Sequence, residues 1–309
     1  MEQVSKINTG KTIVSARDIY CRLEDKSWYK VCEYDREKVL VFNQPFTFEQ
    51  IWQNPKQEPK NRDMVERFWK ELLIPLPAVY PTCWGYALTY PLHRKEIKLN
   101  KWFSFGKISS AIEISTQIIH RPCLDFEAEI GIFTHRHTPG KFAFIMINDL
   151  TDREIQLKTY NPRDPMPSFL KAKSFEGSLG VGPLIMIAAQ EAWNELKIDL
   201  ILNKKVRQNV YAKNCLLNPE QFHEDVFLKD LSSEWALIAT GTGGGVLFRS
   251  PNMFEKLFFF TKSGFSTERT KNQWLKKLSF LKPGDKIEFS SNLLGYSSTS
   301  VKEVFRFNQ

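Results

Sequence analysis

The chain has 309 residues, with 43 Lys and Arg against 35 Asp and Glu, for a formal charge of +8. Hydrophobic residues make up 42% and aromatic residues 13%, which excludes an intrinsically disordered chain, because this much apolar side chain can offset the entropy of ordering. The basic excess raises a nucleic acid, an anionic membrane or an acidic small molecule as partners.

Residues 12–14, 28–32 and 39–42 are β-rich runs between charged turns. Phe48, Ile51 and Trp52, and then Met64, Val65, Phe68, Trp69 and Leu72, recur at helical spacing and predict two short helices separated by Pro55 and Pro59. Pro75, Pro77 and Pro81 close this segment, and a boundary is expected there. It leaves a small N-terminal β-plus-helix unit, 1–76, ahead of a larger domain, 77–309. Short β runs dominate the larger part, at 126–133, 143–147, 184–187, 196–202, 235–239 and 286–289. Helical candidates occur at 190–196 and 219–230, so the fold class is a β-rich α+β. The five cysteines are widely spaced with no CxxC, which argues against a disulfide scaffold or zinc ribbon. No stretch is apolar enough to span a bilayer, and no apolar leader opens the sequence, so a cytoplasmic protein is expected.

The run Asp125-Phe126-Glu127-Ala128-Glu129-Ile130 is the most informative. In a strand, Phe126, Ala128, Ile130 and Ile132 share one face, and Asp125, Glu127 and Glu129 share the other. Exposed carboxylates are common, and a solvated strand face is the base expectation. A second segment changes that weighting. The apolar run 142–147 leads directly into Asn148-Asp149, and an acidic residue ending a buried strand needs a partner. Glu127, Glu129 and Asp149 together make a three-carboxylate site for a hard cation such as Mg²⁺ or Mn²⁺; zinc fits less well, since no His or Cys accompanies them.

These residues resemble motifs of the fumarylacetoacetate hydrolase superfamily, over roughly residues 77–305. Asp125 to Ile130 is similar to its D-[YF]-E-x-E-[LI], and Asn148 through Gln156 to its N-D-x-[ST]-x-R-[DE]-x-Q. Lys173-Ser174-Phe175-Glu176 with Gly182-Pro183, Asn203 with Gln208, Thr240-Gly241-Thr242 with Gly245-Val246, and Pro283-Gly284-Asp285 follow in the family's order. Tyr90, His93 and Glu96 fit its lid motif Y-x-x-H-x-x-E, and 103–110 resembles F-F-x-K-x-S-S, with Lys107 as the lysine. On a short helix His93 and Glu96 face the same way, and Pro91 suits the first turn.

The resemblance implies a mixed β-roll, usually in a homodimer. It implies Glu127, Glu129 and Asp149 as ligands of Mg²⁺ or Mn²⁺, Lys173 beside the metal, and Thr242, Arg153, Gln156, Tyr90 and Lys107 toward the substrate. It further implies hydrolytic C–C cleavage of a small 2-oxo or β-diketo acid through a metal-stabilised enolate, with His93, assisted by Glu96, activating water. Decarboxylation, tautomerisation and dehydration are alternatives on the same site, and a metal- and ligand-binding protein without catalysis is the alternative of another class.

Some features depart from the family. Thr89 replaces the asparagine often found before the lid tyrosine, and Gly243 stands in place of the proline after Thr240-Gly241-Thr242. Residues 249–280 form an insertion containing the apolar run 253–260. Core packing is expected for that run, with a dimer contact or pocket wall as the alternative. His135-Arg136-His137 precedes Pro139-Gly140 and reads as a turn rather than a metal site. The lysine clusters at 204–213 and 271–286 include few stacking aromatics, which argues against nucleic acid. The positive charge is then expected to attract an anionic small molecule, with no need for a nucleic acid or a membrane.

Overall fold

Three long strands, Ala128–His135, Lys141–Asp149 and Leu179–Ala189, are buried along nearly their whole length, so both of their faces must be covered. They form the centre of the computed structural model, which describes residues 11–14, 16–77, 81–98, 101–114, 117–161, 163–262 and 266–303. Ala128–His135 and Lys141–Asp149 form an antiparallel hairpin running from Ala128↔Asn148 to Thr134↔Phe142. His135, Arg136 and His137 lie at its turn, as expected, with Gly140 at φ 81°.

The sheet grows outward in both directions. Trp235–Ala239 pairs with Ala128–His135, then Thr82–Ala87 joins in parallel, and Phe103–Lys107 follows. Beyond Leu179–Ala189 come Ile19–Arg22, Trp28–Tyr34, Lys38–Phe42 and Met64–Phe68. A five-stranded sheet, from Lys205–Tyr211 through Lys197–Leu202, Lys286–Ser291 and Tyr296–Lys302 to Gln117–Ile119, packs against one face of this large sheet. The architecture is the strand-rich α+β class expected. The boundary anticipated after residue 76 lies between Trp69–Glu71 and Thr82–Ala87, and strands from both sides of it share the large sheet.

Alternation along the central strands divides the core in two. Phe126, Ala128, Ile130 and Ile132 share one face, as their spacing predicts, and meet Ile198, Leu200, Ile287 and Phe289 of the second sheet. Phe133, Ala143, Ile145 and Ile147 point the other way, onto Phe48, Ile51 and Trp52 of the helix Phe48–Gln53. Thr47 and Gln50 close a reciprocal capping box at the start of that helix.

The second helix expected in this region is absent. Residues 64–68 form a strand, Met64–Phe68, paired antiparallel with Lys38–Phe42, followed by a single 3-10 turn at Trp69–Glu71. Its apolar residues fit either period, and the open edge of Lys38–Phe42 supplies backbone partners that override the helical spacing. The insertion differs from expectation too. It folds as two helices, Met253–Lys262 and Thr267–Lys277, and in the apolar run Met253, Phe254 and Phe258 are exposed instead of joining the core. The side chains of Leu257, Phe259 and Phe260 lie outside the description. Trp274 and Leu275 of the second helix do the packing, with Phe248 and Phe280, against Ile97 and Leu157. Among the described residues no helix is long and apolar enough to cross a membrane.

Phe48 stands among the rings of Trp28, Trp52, Phe133 and Trp235, with centroids 5.4–6.1 Å away. Phe48→Ala is expected to lower the unfolding free energy by about 3–5 kcal/mol in urea titration. A loss below about 1 kcal/mol would show that this contact does not hold the helix to the sheet.

Candidate metal and catalytic site

The hairpin register builds the acidic cluster. Glu127 and Glu129 alternate onto one face, and the Asp149 amide donates to the Glu127 carbonyl at 2.9 Å, which brings the Asp149 carboxylate onto that face. Glu127, Glu129 and Asp149 each offer an oxygen within 4.8 Å of the others, and all three are buried. The solvated-face expectation fails here because both faces of the sheet are covered.

Three cationic side chains converge on the cluster from separate elements. Lys173, immediately after the helix Met166–Ala172, donates to Glu127 and, at 2.8 Å, to Asp149. Lys107, at the end of Phe103–Lys107, donates to Asp149 at 2.6 Å and to the Lys173 carbonyl at 2.7 Å. Arg153 opens the helix Arg153–Thr159, which Asp152 caps by accepting from the Ile155 amide. Its guanidinium donates to Asp125 at 2.8 Å, to Glu127 at 2.5 Å and to Gln156 at 2.9 Å.

Four buried carboxylates therefore face three buried cations. Asp125, Glu127 and Asp149 each have a cationic partner. Among the described residues Glu129 forms no ion pair: one oxygen accepts from the Gly241 amide at 2.8 Å, and its Oε1 is buried with no hydrogen-bond partner there. Burial first, and the adjacent Asp149 charge second, push its carboxyl well above the usual range, with Lys173 opposing. Burial also works against ionisation of Glu127, but Lys173, Arg153 and His93 outweigh it and hold that carboxyl at about 2. An unpaired buried carboxylate is costly. A divalent cation fits the gap, since it is the missing positive charge and the three donors are the hard oxygens that Mg²⁺ and Mn²⁺ prefer.

The glycine loop and the helix Pro91–Ile97 close over this site. Gly241 and Gly245 have φ of 93° and 100°, and a Cβ at either would lie about 2 Å from Thr89 Oγ1 or the Arg207 carbonyl oxygen, so both positions require glycine. Thr242 donates to the Ala128 carbonyl and accepts from Gln208 Nε2, both at 2.9 Å. Gln208 also accepts from the Ala128 amide at 2.9 Å, fixing the loop to the strand that carries Glu127 and Glu129. Glu96 uses both oxygens: one lies 3.3 Å from His93 Nδ1, and the other accepts from the Gly245 amide at 2.8 Å. The His–Glu pair is thus docked on the glycine loop.

A cavity of about 270 Å³ reaches the cluster at Glu127, while Glu129 and Asp149 do not line it. His93, Glu127, Arg153, Gln156, Lys173 and Thr242 line its polar part. Lys107 and Tyr90, expected to face substrate, do not line it. Lys107 is spent on Asp149, and Tyr90 is 3% exposed, packed in the main core. Two residues that the motifs contain, but that were assigned no role, prove central. Asp125 accepts from Arg153 and from the Leu247 and Phe248 amides, tying the end of the glycine loop to the acidic cluster. Gln208 is the other. The signal for Asp125 was a carboxylate flanked by the apolar Leu124 and Phe126, whereas Gln208, between Arg207 and Asn209, carried no such signal. Cys123 is half-buried, and burial pushes its thiol up to about 11, which does not suit a nucleophile. His223 is held by Thr134 Oγ1 at 3.0 Å.

A family profile described as "Fumarylacetoacetate (FAA) hydrolase C-terminal" matches residues 82–302. Similar solved structures include a 5-carboxymethyl-2-hydroxymuconate delta-isomerase from Mycobacterium smegmatis, at 14% identity and TM-score 0.59, with 93% of this chain and 100% of that one covered. A fumarylacetoacetate hydrolase from psychrophilic Exiguobacterium antarcticum has 20% identity and TM-score 0.56, over 93% and 99% of the two chains. A fumarylpyruvate hydrolase from Pseudomonas aeruginosa, solved with Mn²⁺ and pyruvate, has 14% identity and TM-score 0.52, over 75% and 92%. A search of curated proteins finds no match. At these identities the solved structures establish the fold.

Calorimetric titration with Mn²⁺ is expected to show one site per chain. Glu129→Gln, which keeps the shape but removes the uncompensated charge, should weaken it by more than about 10-fold. Affinity unchanged by Glu129→Gln would place the ion elsewhere.

Proposed function

The chain belongs to the fumarylacetoacetate hydrolase family, and from that premise we propose that it is a divalent-metal-dependent hydrolase that cleaves a C–C bond in a small 2-oxo or β-diketo acid. The observation that carries this reading is one cavity lined both by Glu127 of the cation-deficient carboxylate cluster and by His93, which Glu96 holds from behind the lining. The Mn²⁺ and pyruvate of the fumarylpyruvate hydrolase relative support the same ion class and a 2-oxo acid. A cation held by Glu127, Glu129 and Asp149 would supply Lewis acidity toward the oxygens of a 2-oxo acid.

The chain's own residues account for the rest. Glu96 holds His93 through Nδ1, which leaves Nε2 to take a proton from water at the wall of the cavity. The resulting hydroxide adds to the acyl carbonyl. The C–C bond then breaks, and its electron pair passes to the 2-oxo acid fragment as an enolate. Protonated His93 returns the proton to that carbon, so protons balance over the cycle. Lys173 and Arg153 line the same wall and face the developing oxyanion, while Thr242 and Gln156 offer hydrogen bonds that orient the acid. Hydrolysis is preferred over isomerisation because a carboxylate-held imidazole at the cavity wall is suited to activating water.

The test is an assay of acylpyruvates with Mg²⁺ or Mn²⁺, following release of pyruvate. His93→Ala is expected to lower kcat by at least about 100-fold while leaving Mn²⁺ affinity within about threefold. Turnover undiminished in His93→Ala would remove the histidine from the mechanism. Tight Mn²⁺ binding without turnover of any acylpyruvate would contradict hydrolysis.

A further inference from the structure

Two parts of the quoted motifs take no part in the site: Asn148, which precedes Asp149, and Gly182-Pro183. They meet between the two sheets. Along Lys141–Asp149, Phe142, Phe144 and Met146 face the five-stranded sheet, and Asn148, opposite Ala128, continues that face. Asn148 is 3% exposed, yet among the described residues neither its Nδ2 nor its Oδ1 has a hydrogen-bond partner. On the opposing sheet Thr299 is also 3% exposed, and its hydroxyl is likewise unmatched there. Such groups are costly, because burial removes their bonds to solvent without replacing them.

A small internal cavity joins the two side chains. It measures about 10 Å³ and is lined by Met146, Asn148, Gly182, Phe289, Ser297 and Thr299 among others. A single water needs roughly 10–15 Å³. The cavity arises from a bulge. Lys141–Asp149 and Leu179–Ala189 pair Ile145 with Ile185 and next Ile147 with Val181, so Gly182, Pro183 and Leu184 stand opposite Met146 alone. Pro183 has no amide hydrogen to give to the ladder. Gly180, the register partner of Asn148, and Gly182 bring no side chain to fill the space.

The polar atoms select the occupant. The Asn148 amide offers both donor and acceptor, and the Thr299 hydroxyl serves as either. A metal cation would suit the two oxygens but would be repelled by the amide N–H groups. An apolar occupant would leave all three atoms unmatched. Water both donates and accepts, and a buried one makes roughly three hydrogen bonds.

We propose that Asn148 and Thr299 bind one buried water, which bridges the two sheets beside the strand end that carries Asp149. The sheet of the acidic cluster is then joined to the second sheet by hydrogen bonds as well as by apolar packing. The bridge is independent of the reaction proposed above.

The test is a high-resolution crystal structure of the native protein. One density peak is expected within about 3.2 Å of both the Asn148 amide and Thr299 Oγ1. Thermal unfolding then compares Asn148→Leu, Thr299→Val and the double variant. Each single change is expected to lower Tm by about 2–6 °C, since it strands the remaining polar group. The double variant should lose at least about 2 °C less than the sum, because it removes both partners of the water. Losses that simply add overturn the bridge. So does a structure with no peak between the two side chains, or with an ion there at distances below about 2.5 Å.

Discussion

A charge imbalance in the interior organises this molecule. Asp125, Glu127, Glu129 and Asp149 are buried together, and Lys107, Lys173 and Arg153 meet three of them. Burying this many charges is tolerable only when each has a partner with good geometry. Glu129 is the exception, with one oxygen unpartnered. Among the described residues no fourth basic side chain relieves this, and the Glu127, Glu129 and Asp149 oxygens have the charge and donor set of a divalent cation site.

The surrounding elements keep that imbalance in place. The hairpin register sets the carboxylates on one face, and the covered sheet keeps them buried. Asp125 and Gln208 draw the glycine loop onto the same strand, and Glu96 draws the His93 helix onto the loop. Acid cluster, loop and imidazole are thereby linked by hydrogen bonds over a short path. A rigid link of this kind matters for chemistry, because small misplacements of a general base are costly in rate.

Much of this was legible in the residues. The alternation of Phe126, Ala128, Ile130 and Ile132 identified a buried face, and the carboxylates interleaved with them had to share the opposite one. The i, i+3 spacing of His93 and Glu96 anticipated their contact. What escaped were long-range relations. Lys107 looked like a residue for substrate, but its strand ends beneath Asp149, and nothing in the local sequence encodes that approach. Met64–Phe68 carried a helical period and became a strand because an edge was open beside it. The apolar run at 253–260 suggested core, whereas the neighbouring helix, through Trp274 and Leu275, provides the packing. The glycines gave no hint that two of them would touch the backbone or side chains of residues far away in sequence.

The most direct measurement of the central claim is a crystal structure grown with Mn²⁺ and oxalate, with the anomalous signal used to locate the ion. The account predicts a single strong peak among the Glu127, Glu129 and Asp149 oxygens, with Glu129 Oε1 turned toward it. No peak there, with Glu129 still unpartnered beside Lys173, would contradict it.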